Sequence, residues 1–263
     1  MIFDTHAHYD DRAFDEDREE LIRRFDELGI GAVTDPGSTK ESIPFIAELT
    51  RKYSRIYGAL GIHPSECAEM TEQDLEEIRK MLRLPKMVAV GEIGLDYHWD
   101  TPERELQKHW FRRQLELARQ ERLPVIIHSR DAAADTLEIL RECRAEEIGG
   151  VIHCYSYSAE LSKEFLDLGF YLGVGGVVTF RNGKRLKETV RRTPLERIVL
   201  ETDSPYMAPE PHRGERNSSQ LLRYVVNEIA KIKEVTPEEV TETTWNNACA
   251  LYRLDPAGNG RPE

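Results

Sequence analysis

Six residues able to hold a metal ion, His6, His8, Glu92, His128, His153 and Asp203, each lie at the end of a short apolar run of the kind that makes a buried parallel strand. The runs are Met1-Ile2-Phe3-Asp4, Met87-Val88-Ala89-Val90, Pro124-Val125-Ile126-Ile127, Val151-Ile152 and Ile198-Val199-Leu200. Imidazoles and carboxylates are costly in a core unless something pairs with them, so their recurrence at one level of the fold calls for a shared partner. Four imidazoles and two carboxylates make a nitrogen and oxygen donor set suited to divalent metals, and the ring reads as a binuclear metal centre. His6 and His8, two apart on a strand, project to the same side and can bind one ion. Glu92 has two oxygens and can bridge two cations, where a neutral ligand cannot. Taken singly, each residue has a plainer explanation: a surface pair for His6 and His8, a strand-end salt bridge for Glu92, satisfied core histidines for His128 and His153, and a helix cap before Ser204-Pro205 for Asp203. Together they resist that account.

Such a ring needs many strands ending at one level. Helical spacing over Asp17 to Gly29 is followed by a strand around Ala32-Val33, a helix from about Thr39 to Tyr53, the strand Ile56 to Leu60 and a helix from about Thr71 to Leu84. Next come the Val88 strand, a long helix from Pro102 to Glu121, the Val125 strand, a helix through Ala132 to Arg144, the Val151 strand and a helix ending at Gly169. Tyr171-Leu172-Gly173-Val174, a basic helix near Lys184 to Arg192 and the Ile198 strand precede two last helices, Leu221 to Ile232 and Pro237 to Leu254. Eight strand-then-helix units predict an α/β fold, a single (β/α)8 TIM-type barrel with C-terminal helices, whose active sites gather at the strands' C-terminal ends. The GxGxxG fingerprint of an open doubly wound sheet is absent, and Gly173-Val174-Gly175-Gly176 reads as a close-packed strand end. Residues 1–254 are expected to form one domain, with 255–263, rich in Gly and Pro, a flexible tail.

Composition narrows the function. The 263 residues are 40% hydrophobic and 32% charged, and no apolar stretch approaches the roughly 18 residues that a membrane helix needs. Met1 leads straight into the first strand without an export signal, and Cys67, Cys143, Cys154 and Cys249 show no CxxC pairing, which suits a reducing cytoplasm. Any metal must therefore be held by nitrogen and oxygen. A net charge of −12 argues against broad attraction to DNA, so any contact with nucleic acid should be local.

Asp4-Thr5-His6-Ala7-His8, Gly61-Ile62-His63-Pro64, Gly91-Glu92-Ile93-Gly94-Leu95-Asp96-Tyr97, Ile127-His128-Ser129-Arg130, His153-Cys154 and Glu201-Thr202-Asp203-Ser204-Pro205-Tyr206 resemble, in order, the signature blocks of the TatD family of metal-dependent deoxyribonucleases in the amidohydrolase superfamily. The resemblance runs from Phe3 to about Tyr252. It implies that His6, His8, Glu92 and Asp203 hold one divalent ion while Glu92, His128 and His153 hold a second, with magnesium, manganese, zinc or nickel as candidates. It further implies hydrolysis of DNA phosphodiesters from a 3′ end, with single-stranded ends as the expected partner and no membrane or obligate protein partner. Asp203 is expected to orient and deprotonate water, and Glu92 to hold the ions in register. His63 would face the site, and Arg130, Arg213, Arg216 and Asn217 are candidates for substrate contact, since arginine presents a fork that matches phosphate. Tyr97, Trp99, Tyr155 and Tyr157 could stack bases or simply pack. Tyr157 stands where the family usually has glycine, Glu215 where a basic residue is common, and Ser218-Ser219 where Glu-Pro is frequent; these departures bear on the substrate and leave the ligands intact. The alternative from the same superfamily is a deacylase or amidohydrolase acting on an ester or amide such as D-aminoacyl-tRNA, since both chemistries use metal-activated water. A scaffold that only inherited the barrel is disfavoured by the retention of all six candidates.

Overall fold

In the computed structural model of the chain, described over residues 1–256, eight parallel strands stand in chain order, each paired with the next. They are β1 (Ile2–Asp4), β2 (Ile30–Pro36), β3 (Ile56–Ala59), β4 (Met87–Asp96), β5 (Val125–Arg130), β6 (Gly150–Ile152), β7 (Tyr171–Val174) and β8 (Ile198–Leu200). Helices α1 (Arg18–Arg23), α2 (Ser42–Lys52), α3 (Glu72–Met81), α4 (Arg104–Glu121), α5 (Ala133–Glu142), α6 (Ala159–Asp167) and α7 (Lys184–Arg192) connect them, and α8 (Leu222–Lys233) and α9 (Pro237–Tyr252) follow β8. The ring closes where the Thr5 amide donates to the Leu200 carbonyl at 2.9 Å and Ala7 bridges Ser204. This is the expected barrel with C-terminal helices.

Parallel strands need cover on both faces, which is why these runs are continuously apolar; every residue of β4 is buried. One face meets the helices, with Ile127, Ile152 and Leu200 packed in the same cluster as Phe111, Leu140 and Ile229. The other fills the interior with Phe3, Ala32, Ala59, Val88, Ile126, Val151 and Val199. Helix α9 seals that layer from below through Ala248, Cys249, Leu251 and Tyr252, and the Phe3 ring lies 5.6 Å from Trp245 and 5.8 Å from Tyr252. The start of α9 is well specified: Thr236 accepts a hydrogen bond from the Glu239 amide at 3.1 Å, Pro237 opens the helix, and two glutamates occupy its first turn.

One expectation changes. The helix expected over Asp17 to Gly29 spans only Arg18–Arg23, because the chain must turn back to start β2; the Ile30 amide donates to the Phe25 carbonyl at 2.8 Å, and Phe25 is buried from a turn instead of a helix face. Of the expected tail, Pro256 accepts a hydrogen bond from the Trp245 indole at 3.3 Å, while residues 257–263 lie outside the described residues.

Asn247 ties α9 to the barrel by donating from Nδ2 to the carbonyls of Leu195 (2.8 Å) and Ile198 (2.7 Å), all buried. Asn247→Ala is expected to lower stability by about 1–3 kcal/mol, since it removes two buried hydrogen bonds to backbone carbonyls, as read by urea unfolding.

Candidate metal centre

The pleat of the strands carries polar groups one step above the apolar interior. Ile126, Val151 and Val199 face inward, and two residues beyond each stand His128, His153 and Glu201. Glu92 enters from β4, and His6 and His8 from the segment just past β1, held by the Asp203 amide donating to the His6 carbonyl at 2.9 Å and the His8 amide to the Ser204 carbonyl at 2.8 Å. Residues from five strand ends therefore converge.

The Nε2 atoms of His6 and His8 are 3.2 Å apart, with Glu92 Oε2 at 3.4 and 3.8 Å and Asp203 Oδ1 at 3.8 and 3.7 Å from them respectively. A four-coordinate ion holding such ligands at about 2.1 Å spaces them about 3.4 Å apart, so these four residues fit one cation. The other Glu92 oxygen, Oε1, faces His128 Nδ1 at 2.8 Å, His153 Nε2 at 3.7 Å and His63 Nε2 at 3.8 Å. Each Glu92 oxygen thus belongs to a different group of donors. The six residues singled out in the sequence meet in one place.

Burial opposes charge on Glu92, His6, His128, His153 and Asp203; the neighbours overcome it at Glu92, His128 and His153, and burial prevails at His6 and Asp203. Burial pushes the Glu92 carboxyl up, but His153, His6 and His128 hold it well below the usual carboxylate range. Burial, reinforced by His153, holds His6 well below the ordinary imidazole value. Against burial, Glu201 and Glu92 push His153 up to about 10, and Asp96 and Glu92 raise His128. Burial raises the Asp203 carboxyl against the pull of His153 and His8, which makes it a stronger base than a solvated aspartate. The facing carboxylates thus favour the protonated form of His128 and His153, and ligation of a divalent ion would compete with those protons.

Two cavities meet at the ring. One, of about 340 Å³, is walled by Cys154, Tyr155, Gly175, Val177 and Leu186. The other, of about 630 Å³, holds His63, Trp99 and Tyr206. His128, Arg130, His153, Asp203 and Met207 line both.

The surrounding candidates separate. His63 Nδ1 accepts from the Ser65 amide at 3.2 Å, which places its proton on Nε2, the nitrogen facing Glu92; burial and His128 lower its pKa to about 3, so the ring is a neutral donor. Arg130 is exposed beside Trp99, its guanidinium 5.9 Å from the ring, while Asp131 faces His98 and Asp135 pairs with Lys108. Arg213 lies outside both cavity linings, stacked 4.5 Å over Phe180. Asn217 corrects the expectation of substrate contact: it is buried, its Nδ2 donates to the carbonyls of Thr202 (2.9 Å) and Tyr206 (2.7 Å), and its Oδ1 accepts from the Ser218 amide (2.9 Å). Its polar atoms are spent on the loop that carries Asp203. Arg216 is likewise held in a fork by Asp17. Among the aromatics, Trp99 is 67% exposed at the mouth, whereas the Tyr97 hydroxyl bonds Asp135, that of Tyr157 bonds Ser129, and Tyr155 is buried.

Three functional carboxylates were not singled out by sequence reasoning. Glu201 accepts the His153 Nδ1 hydrogen bond at 3.1 Å and the Cys154 amide at 2.5 Å; Asp96 sits 3.0 Å from His128 Nε2. Asp4 accepts from Thr202 Oγ1 and Ser219 Oγ, both at 2.7 Å, clasping the His6 segment to the Asp203 loop. Glu201 had a usable signal, its two-residue offset from Val199, matching those of His153 and His128. Carboxylates behind ligand histidines fix ring orientation and basicity. Glu201→Gln is expected to weaken divalent-metal affinity about 10- to 100-fold in a chelator-competition titration while far-UV circular dichroism stays unchanged.

Residues 3–253 match the model of the TatD-related DNase family. The chain is 43% identical over 255 residues to the metal-dependent hydrolase YabD of Bacillus subtilis (strain 168), covering 97% of this chain and 100% of that protein. It is 34% identical to YcfH of Escherichia coli (strain K12), another metal-dependent hydrolase, over 97% of each. The crystal structure of YjjV, a TatD homologue from Escherichia coli K12, superposes with a TM-score of 0.91 at 31% identity, covering 97% of this chain and 98% of that one. With barrel, ligand cluster and sequence in agreement over nearly its whole length, this chain belongs to the TatD family of metal-dependent hydrolases.

Proposed function

We propose that this hydrolase cleaves phosphodiester bonds of DNA, removing nucleotides from single-stranded 3′ ends, with two divalent ions sharing Glu92. The observation that carries the reading is the division of the Glu92 oxygens: Oε2 faces His6 and His8, and Oε1 faces His128 and His153. The family's description as TatD-related DNases supports a nucleic-acid substrate. Four free cysteines suit a reducing cytoplasm.

When bound, a pair of divalent ions supplies Lewis acidity, acidifying water and neutralising charge on the phosphoryl group. The chain's own residues do the rest. Asp203, buried and raised in pKa, takes the proton of the attacking water. Arg130 reaches both cavities and offers its fork to the phosphate. His63, with its proton on Nε2, donates a hydrogen bond toward the leaving oxygen from the open cavity. Trp99 offers a ring face to a splayed base at the mouth. The smaller cavity then receives one terminal unit.

The test is metal-dependent digestion of end-labelled single- and double-stranded DNA, with a chelator control and with aryl ester and D-aminoacyl-tRNA as competing substrates. The expected result is a ladder of single-nucleotide steps from the 3′ end of single strands, abolished by chelator; turnover of the acyl substrates alone would replace this reading with the deacylase one. Elemental analysis should find two divalent ions per chain, and fewer in Glu92→Ala. Asp203→Asn is expected to lower kcat by about 10²- to 10⁴-fold, and His63→Ala by about 10²-fold at full metal content.

A further inference from the structure

The surface of this acidic chain is largely self-neutralised. Arg112 pairs with Glu142, Arg113 with Glu72, and Arg192 with Glu188 and Glu160. Several cations without an acidic partner are accounted for by helix ends: Arg51 and Lys80 lie in the last turns of α2 and α3, and Arg122 caps α4, where positive charge complements the helix dipole. Arg181, Lys184 and Arg185 have no such explanation. They are exposed and, among the described residues, touch no carboxylate, and the two in α7 occupy its first turn, which holds no acid and where the dipole disfavours cations. Local stability gains nothing from them.

Their position is informative. The segment between β7 and α7 forms a wall of the smaller cavity through Gly176 and Val177, and α7 adds Leu186, the residue next to Arg185. It is fastened to the loop after β8 by the Glu210 amide donating to Thr179 Oγ1 at 2.8 Å and by the Arg213 guanidinium 4.5 Å above the Phe180 ring. Arg213, stacked on Phe180, likewise touches no carboxylate among the described residues, so four cations without an acidic partner stand on the two clasped segments and the first turn of α7, beside the wall of the cavity that holds His153 and Asp203 though outside its lining. In a chain of net charge −12, this is the local positive contact that a polyanion would require.

We propose that Arg181, Lys184, Arg185 and Arg213 form a phosphate-contacting rim along which a single nucleic-acid strand is held as its end enters the metal cleft. The proposal rests on the nucleic-acid reading above and adds where the backbone of the strand is gripped. Such contacts are insensitive to base sequence, displace counterions and therefore weaken with salt.

The test uses the metal-loaded enzyme and the triple variant Arg181→Glu, Lys184→Glu, Arg185→Glu, with melting temperature confirming that the exposed changes leave the fold intact. Substrates are a single-stranded 12-mer and a dinucleotide, assayed from 50 to 300 mM salt. For the 12-mer, KM should rise about tenfold or more, and the slope of log KM against log salt should fall by about 2, near 0.7 per lost phosphate contact. For the dinucleotide the rise in KM should be several-fold smaller. An unchanged 12-mer KM and salt slope, or an equal rise for both lengths, would overturn the rim while leaving the nuclease reading in place. Failure of the wild-type enzyme to cleave any nucleic acid while it hydrolyses acyl esters would remove both.

Discussion

Glu92 places negative charge on a buried side chain at the floor of the barrel mouth, and an unpaired carboxylate there would cost several kcal/mol. It is tolerated because His6, His8, His128 and His153 surround it, and those imidazoles are in turn steadied by Asp203, Glu201 and Asp96. No member of this set is stable in its place alone. The barrel is what allows them to coexist, since only a closed ring of strands can bring groups more than a hundred residues apart to one level and hold them on rigid backbone. The chemistry follows from the same balance: a site that must attract positive charge to offset buried carboxylates is already matched to divalent cations.

The barrel and the gathering of the six side chains at its mouth were both legible in the residues, for a shared reason. Continuous apolar runs such as Val125-Ile126-Ile127 announce strands buried on both faces, and a histidine directly after such a run departs so sharply from it that its level in the fold is marked. Carboxylates one layer further out gave a weaker signal. Asp96 and Asp4 sit beside other polar residues, and nothing in one dimension says that Asp4 will meet Thr202 and Ser219. Asn217 and Arg216 were misleading because a polar side chain in a glycine-containing loop looks exposed, yet the loop turns inward and uses Asn217 to satisfy its own backbone. Arg216 is absorbed by Asp17, an ion pair bridging 199 positions that spacing does not foretell. Irregular packing, as at Phe25, escapes periodicity for the same reason: a turn can bury an aromatic ring as well as a helix face can.

Polar and apolar demands are divided between the two cavities. The smaller is bounded by glycines, Val177 and Leu186, and Gly176 approaches Met207 so closely that an added Cβ would lie 2.0 Å from its carbonyl oxygen. The two loops that form this wall therefore move together if they move at all. The larger cavity opens past two exposed aromatics, Trp99 and Tyr206. Both spaces reach His128, His153 and Asp203, while Glu92 and His8 line the larger one.

The clasp at Asp4 also joins distant parts of the chain. His6 and His8 lie far ahead in the chain of the partners that seat their segment: Leu200 for Thr5, Thr202 and Ser219 for Asp4, and Tyr252 for the Thr5 carbonyl, at separations of 195 to 247 positions. The first two donors thus acquire their places only when segments some two hundred positions further along the chain are present, and a chain cut short ahead of Leu200 leaves His6 and His8 without these supports.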